Sequence, residues 1–194
     1  MHFKIGRYKI TLFKISKANK DENFFSCGNN SKIFYPYLLG EKEKLFLGKD
    51  STILANSRLQ SFSNYGITAK QIKIGNNCYI GFNFSCLNAS SIVIGNNVLI
   101  ASNVLITSLN HGVDPESEIP YMNQNLTSSP VEIGDNCWIG EKVVILPGVK
   151  IGKYSVIGAG SIVTKSIPDY SMAVGNPAKV IKKYNFDKHC WGGV

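Results

Sequence analysis

Between Thr107 and Pro130 the chain reads TSLNHGVDPESEIPYMNQNLTSSP, a polar stretch that opens with His111 and carries Asp114, Glu116 and Glu118. An imidazole titrates near neutral pH, so it can take a proton from an attacking hydroxyl or amine. A backbone carbonyl or any of the three carboxylates could orient it. The two remaining histidines, His2 and His189, lie near the ends of the chain. Cysteines stand at 27, 78, 86, 137 and 190, an odd number without metal-ligand spacing, so a reduced, intracellular chain with no metal centre is expected. Near the end, PAKVIKK gathers Lys179, Lys182 and Lys183, which suit an anionic partner or form a solvated basic tail.

These groups need elements to hold them, and the spacing of the aliphatic residues supplies the elements. Ile133, Ile139, Ile145, Ile151, Ile157 and Val163 are each six residues apart. Ile94, Ile100 and Ile106 keep the same step, as do Ile74, Ile80 and Cys86, and Leu47, Ile53 and Leu59. Glycine often follows the aliphatic residue, and a small residue often stands four positions after it (Cys78, Val98, Cys137, Val143, Ser155, Ser161). Six fits neither the helical period of 3.6 nor the simple strand period of two. It fits a coil with three flat sides, one hexapeptide per side, stacked into a parallel β-helix with ~4.8 Å between coils. The aliphatic and small positions face inward, and glycine is expected to turn the corners through backbone angles costly to other residues. The phasing predicts about five coils, starting near 47, 74, 94, 133 and 151. Insertions are expected within 61–73 and 87–93, with a long protruding loop near 107–130. Cys78 and Cys137 occupy the small inward position and Cys86 an aliphatic one, which makes them packing residues.

Length and composition agree with one folded unit. With 194 residues, 44% apolar and 18% charged, the chain is neither disordered nor in need of disulfide support. No run approaches the ~20 apolar residues of a membrane span. The net charge of +8 admits nucleic acid, a phosphorylated cofactor or a lipid surface as partner. No nucleic-acid-binding motif accompanies it. At the N-terminus, MHFKIGRYKITLFKISK spreads lysines among its apolar residues and lacks the charge-free core of a secretory signal. Its alternation at Tyr8, Ile10 and Leu12 reads as a strand; the other reading is a basic amphipathic helix on a membrane. The expected division is an N-terminal strand-like or capping segment 1–45, a β-helix 46–184 and a short C-terminal tail 185–194.

The stretch IGDNCWIGEKVVILPGVKIGKYSVIGAGSIVTKSIPDYSMAVGNPAKVIKKY, residues 133–184, resembles the hexapeptide-repeat acyltransferases. Among these it is similar to the galactoside, maltose and nodulation acetyltransferases and the polysaccharide O-acetyltransferases. Looser similarity runs back through IGNNVLIASNVLITSLNHG to about residue 47. The resemblance implies an all-β, left-handed β-helix, a homotrimer and acetyl-CoA bound between adjacent subunits. It makes His111 the catalytic base. It places Trp138, Glu141, Ala159, Thr164, Lys165, Lys179 and Lys182 at the cofactor, the last two near its phosphates. Glu141 stands where relatives often carry a small hydroxyl residue. An Asn that stabilises the tetrahedral intermediate in the sugar acetyltransferases is replaced here by Gly81. Asn83, two residues on, and Asn110 remain as substrate-side candidates, and backbone N–H groups could hold the oxyanion. The segment matching an acidic acceptor contact reads Asn88–Ala89.

The expectation is a cytoplasmic O-acetyltransferase, at the inner face of the membrane if the basic N-terminus touches lipid. It would acetylate a sugar hydroxyl of a cell-surface polysaccharide or its precursor, without an acyl-enzyme. N-acetylation of a nucleotide-linked amino sugar is the nearest rival, although no GxGxxG unit precedes the repeats. A non-catalytic β-helix scaffold or polyanion binder is the rival from another class. A zinc-dependent carbonic anhydrase of the β-helix type would need three converging histidines, whereas the repeats contain only His111.

Overall fold

The computed structural model describes residues 26–63 and 66–194, and ahead of them the backbone strands His2–Ile5, Tyr8–Thr11 and Ile15–Lys17. Short parallel strands build three sheets, the faces of a triangular prism. The first face stacks Ser26–Cys27, Leu45–Leu47, Gln71–Ile74, Ser91–Ile94, Val131–Ile133 and Lys150–Ile151. On the second lie Lys32–Phe34, Thr52–Ile53, Tyr79–Ile80, Leu99–Ile100, Trp138–Ile139, Val156–Ile157 and Ser171–Gly175. The third holds Tyr37–Gly40, Ser57–Ser61, Ser85–Asn88, Leu105–Thr107, Val144–Ile145 and Ile162–Val163. Equivalent residues meet in register, as in Ile74 beside Ile94, Ile94 beside Ile133 and Ile133 beside Ile151. The inward columns are sealed: Ile80, Cys86, Ile100, Ile106, Ile139, Ile145 and Ile157 are fully buried. Each such side chain contributes about 1.5–3 kcal/mol by leaving water. The stack therefore supplies most of the hydrophobic stabilisation.

Six complete coils are present rather than five. The additional one, Ser26–Gly40, precedes the expected start, so the boundary at 46 falls inside the stack. Cys27, Ile33 and Leu39 keep the six-residue step, but the next interval, from Leu39 to Leu47, is eight, and no glycine follows Ile33. The 185–194 tail is likewise structured: Cys190–Gly193 pairs antiparallel with Ala178–Asn185, which pairs with Ser171–Gly175. At the other end of the second face, Ile15–Lys17 runs antiparallel to Lys32–Phe34. Tyr8–Thr11 forms a strand paired with His2–Ile5, as the alternation at Tyr8 and Ile10 predicts. Leu12 and all side chains of the first 25 residues lie outside the described residues, and so does the expected lipid contact.

The periodic glycines serve closeness, not backbone angle. None of Gly48, Gly75, Gly81, Gly95, Gly134, Gly140, Gly152 and Gly158 has positive φ. A Cβ on Gly75 would sit 2.4 Å from the Gly95 carbonyl oxygen of the next coil. The left-handed turn residue comes two positions later and is usually asparagine: Asn77, Asn83, Asn97, Asn103 and Asn136. Asparagine tolerates that conformation better than most residues. Its amide also bonds along the stack, as from Asn77 Nδ2 to Asn97 Oδ1 at 2.8 Å.

Candidate active site

Residues 108–130 leave the corner between the third and first faces after the fourth coil and fold into a flap. Its stem is the antiparallel pair Leu109–Asn110 with Thr127–Ser128. A 3-10 turn, Tyr121–Asn123, reverses it. Gln124, nearly buried, staples its interior. The side-chain amide donates to the carbonyls of Asp114 (2.9 Å) and Ile119 (3.0 Å), while Oε1 accepts the Asp114 N–H at 3.0 Å. His111 follows the stem directly and is exposed. Gly112 lets Gln124 lie flush against it, since a Cβ there would meet Gln124 at 2.8 Å. Among the described residues no hydrogen bond or ion pair engages the imidazole. The Asp114 carboxylate turns to its own loop and accepts the Glu116 N–H at 2.9 Å.

The other candidates sort onto the prism by topology. Thr164 and Lys165 occupy the same corner as the flap, after the sixth strand of the third face, and both are exposed. Asn83, Glu141 and Ala159 stand on a different corner, between the second and third faces. There the side chains form a ladder: Asn83 Nδ2 donates to Asn103 Oδ1 at 3.0 Å, and Asn103 Nδ2 donates to Glu141 Oε1 at 3.1 Å. Ala159 is exposed beside Gly160, whose N–H reaches the Glu141 carbonyl at 2.7 Å. Trp138 projects outward from the second face, half exposed, in an apolar column between Leu99 and Val156. Lys179 and Lys182 are exposed on the strand Ala178–Asn185. Asn110 lies in the stem beside His111. In one subunit the width of the third face thus separates Asn83, Glu141 and Ala159 from His111, Thr164 and Lys165.

Two details limit the chemistry. A side chain at position 81 has no room, because a Cβ on Gly81 would meet the Ser102 backbone nitrogen at 2.6 Å. The inward cysteines are poor nucleophiles. Burial pushes the Cys137 thiol from 9.0 up to about 11 and raises Cys78 and Cys86 as well.

With this geometry in view, the relatives can be compared. The bacterial transferase hexapeptide family (six repeats) matches residues 130–165, and the hexapeptide repeat of succinyl-transferase matches 71–108. Galactoside O-acetyltransferase of Escherichia coli K12 is 41% identical over 158 residues, spanning 80% of this chain and 75% of the relative. The chain belongs to the hexapeptide-repeat acyltransferases. A galactoside acetyltransferase structure with coenzyme A superposes with a TM-score of 0.58 at 34% identity, over 85% of this chain and 68% of that one. The Bacillus cereus N-acyltransferase AntD, solved with dTDP-4-amino-4,6-dideoxyglucose and coenzyme A, gives a TM-score of 0.76 over 92% of this chain and 94% of its own. At 21% identity that likeness shows the fold alone. As a member of this family the chain is an acyltransferase whose stacked coils form a left-handed β-helix, the reverse of the usual crossover hand.

This hexapeptide-repeat acyltransferase also contains a feature that sequence reading missed. Ser61 and Asn88 end successive strands of the third face and Ser108 directly follows the next, each two residues after the inward Leu59, Cys86 and Ile106. All three are buried, and they bond to one another across coils: Ser108 Oγ donates to Asn88 Oδ1 at 2.9 Å, and Asn88 Nδ2 donates to Ser61 Oγ at 3.1 Å. The signal was available. In a strand, a residue two places after an inward one faces inward too, so three polar residues there mark a buried network.

Proposed function

We infer that this chain is an acetyl-CoA-dependent O-acetyltransferase that modifies a sugar hydroxyl in a cell-surface polysaccharide or its precursor. His111 acts as general base. The acceptor hydroxyl attacks the thioester carbonyl of acetyl-CoA while the imidazole takes its proton. The new carbon–oxygen bond forms, the carbon–sulfur bond breaks, and the imidazolium returns the proton to the departing thiolate of CoA. Backbone N–H groups serve the oxyanion, since Gly81 leaves no room for an amide side chain. The raised inward thiols favour direct transfer over an acyl-enzyme.

The observation that carries this reading is the placement of His111, exposed at the neck of a stapled flap on the corner that also bears Thr164 and Lys165. The 41% identity to a galactoside O-acetyltransferase supports a sugar hydroxyl as acceptor. The chain works as a homotrimer. In that assembly the flap corner of one subunit meets the Asn83–Glu141–Ala159 corner or the Trp138 column of its neighbour, and CoA lies between them. Lys179 and Lys182 attract its phosphates. No helix among the described residues is long and apolar enough to cross a membrane. Catalysis in the cytoplasm is part of the same reading.

The test is mass spectrometry of candidate glycosides and oligosaccharides after incubation with acetyl-CoA, alongside a dTDP-linked amino sugar. Gain of an alkali-labile acetyl ester on a glycoside supports O-transfer. An alkali-stable amide formed only on the amino sugar replaces it with N-transfer. Absence of any acetyl-CoA-dependent product, with CoA unbound, returns the chain to a scaffold role.

A further inference from the structure

Ser108 uses every hydrogen-bonding group it has. The backbone N–H donates to the Leu87 carbonyl at 2.9 Å, and the backbone carbonyl accepts the Ser129 N–H at 3.0 Å, which closes the neck of the flap. The hydroxyl donates to Asn88 Oδ1 at 2.9 Å and accepts the N–H groups of Ala89 (3.0 Å) and Ser90 (3.2 Å). Asn88 Oδ1 takes the Ser90 N–H as well, at 3.1 Å. Both residues are fully buried in an interior otherwise lined mainly by aliphatic side chains. A buried polar pair costs free energy unless every group is satisfied, and here every group is. The network is also local. The equivalent position in the fifth coil is Pro147, and in the sixth it is the exposed Lys165. The buried polar column therefore runs through the second, third and fourth coils and ends at the coil that bears the flap.

We propose that Asn88 and Ser108 are positioning residues for His111: through the flap neck they fix where the imidazole stands relative to the reacting hydroxyl. The inference rests on His111 as general base. Only the two stem residues Leu109 and Asn110 separate Ser108 from His111, so a shift of the neck passes almost undiminished to the ring. A displacement of about 1 Å at a reacting group can cost about 100-fold in rate.

The experiment is a double-mutant cycle on the full chain with acetyl-CoA and an acceptor. Ser108→Ala is expected to lower kcat about 10- to 100-fold and leave the KM for acetyl-CoA unchanged. Ser108→Ala combined with His111→Ala is expected to be no slower than His111→Ala alone, because the serine acts only through the histidine. A wild-type kcat for Ser108→Ala, or losses that multiply in the double variant, overturns the proposal and assigns the pair to stability alone. If Ser108→Ala lacks a cooperative unfolding transition, Asn88→Ala is judged by the same two criteria. If His111→Ala itself keeps kcat, the base assignment fails first, a result read independently of the serine.

Discussion

At the scale of single residues, the assigned chemistry concentrates on one imidazole. His111→Ala is expected to reduce acetyl transfer about 10²–10⁴-fold while CoA affinity, measured by calorimetry, stays near the wild-type value. Equal loss of both would make the residue structural. The buried thiols give a second test. Their burial raises the Cys137 pKa from 9.0 to about 11. A raised folded-state pKa means that the thiol's contribution to stability is complete below pH 9 and is lost as pH rises through about 11. Unfolding midpoints should therefore hold up to pH 9 and fall between pH 9 and 11, with part of that fall absent in Cys137→Ala. At pH 8 an alkylating reagent should label the exposed Cys190 first, leaving Cys78, Cys86 and Cys137 unmodified until denaturant is added. Early modification of Cys86 would contradict the packing described.

At the scale of the element, the hexapeptide divides its labour in a way that substitutions can separate. Gly75→Ala drives a methyl group to 2.4 Å from the backbone of the next coil and should cost about 1–3 kcal/mol or more in chemical unfolding. Lys142→Gly, at a corner with φ near 58°, should be neutral or slightly stabilising. If glycine served the corner angle, Gly75→Ala would instead be well tolerated. How far the sequence revealed all this depends on range. The inward columns are legible because Ile133 to Val163 repeat without slippage. The first coil escaped because the step after Leu39 is eight residues and its second unit lacks the glycine. The turn role of asparagine was hidden by the more conspicuous glycine beside it. Ser61, Asn88 and Ser108 are separated by 27 and 20 residues in sequence, so only the fold shows that they touch. The separation of Asn83, Glu141 and Ala159 from His111, Thr164 and Lys165 follows from topology, which the period alone does not number.

At the scale of the whole molecule, the separation of those corners across the third face predicts a site shared between subunits. His111→Ala and Ala159→Arg should each be inactive alone. Refolded or co-expressed together, they should regain transfer, because about one site in three of a mixed trimer draws both corners from intact copies. No recovery despite confirmed mixed trimers would place the whole site within one subunit. The antiparallel strands at the two ends of the second face bear on the assembly too. A parallel stack has no intrinsic length limit: its first and last rungs offer unpaired N–H and C=O groups to any similar rung. Ile15–Lys17 at one end, and the hairpin ending in Cys190–Gly193 at the other, run opposite to the rungs they cover. A second molecule therefore finds no matching template at either end of the second face on which to continue winding.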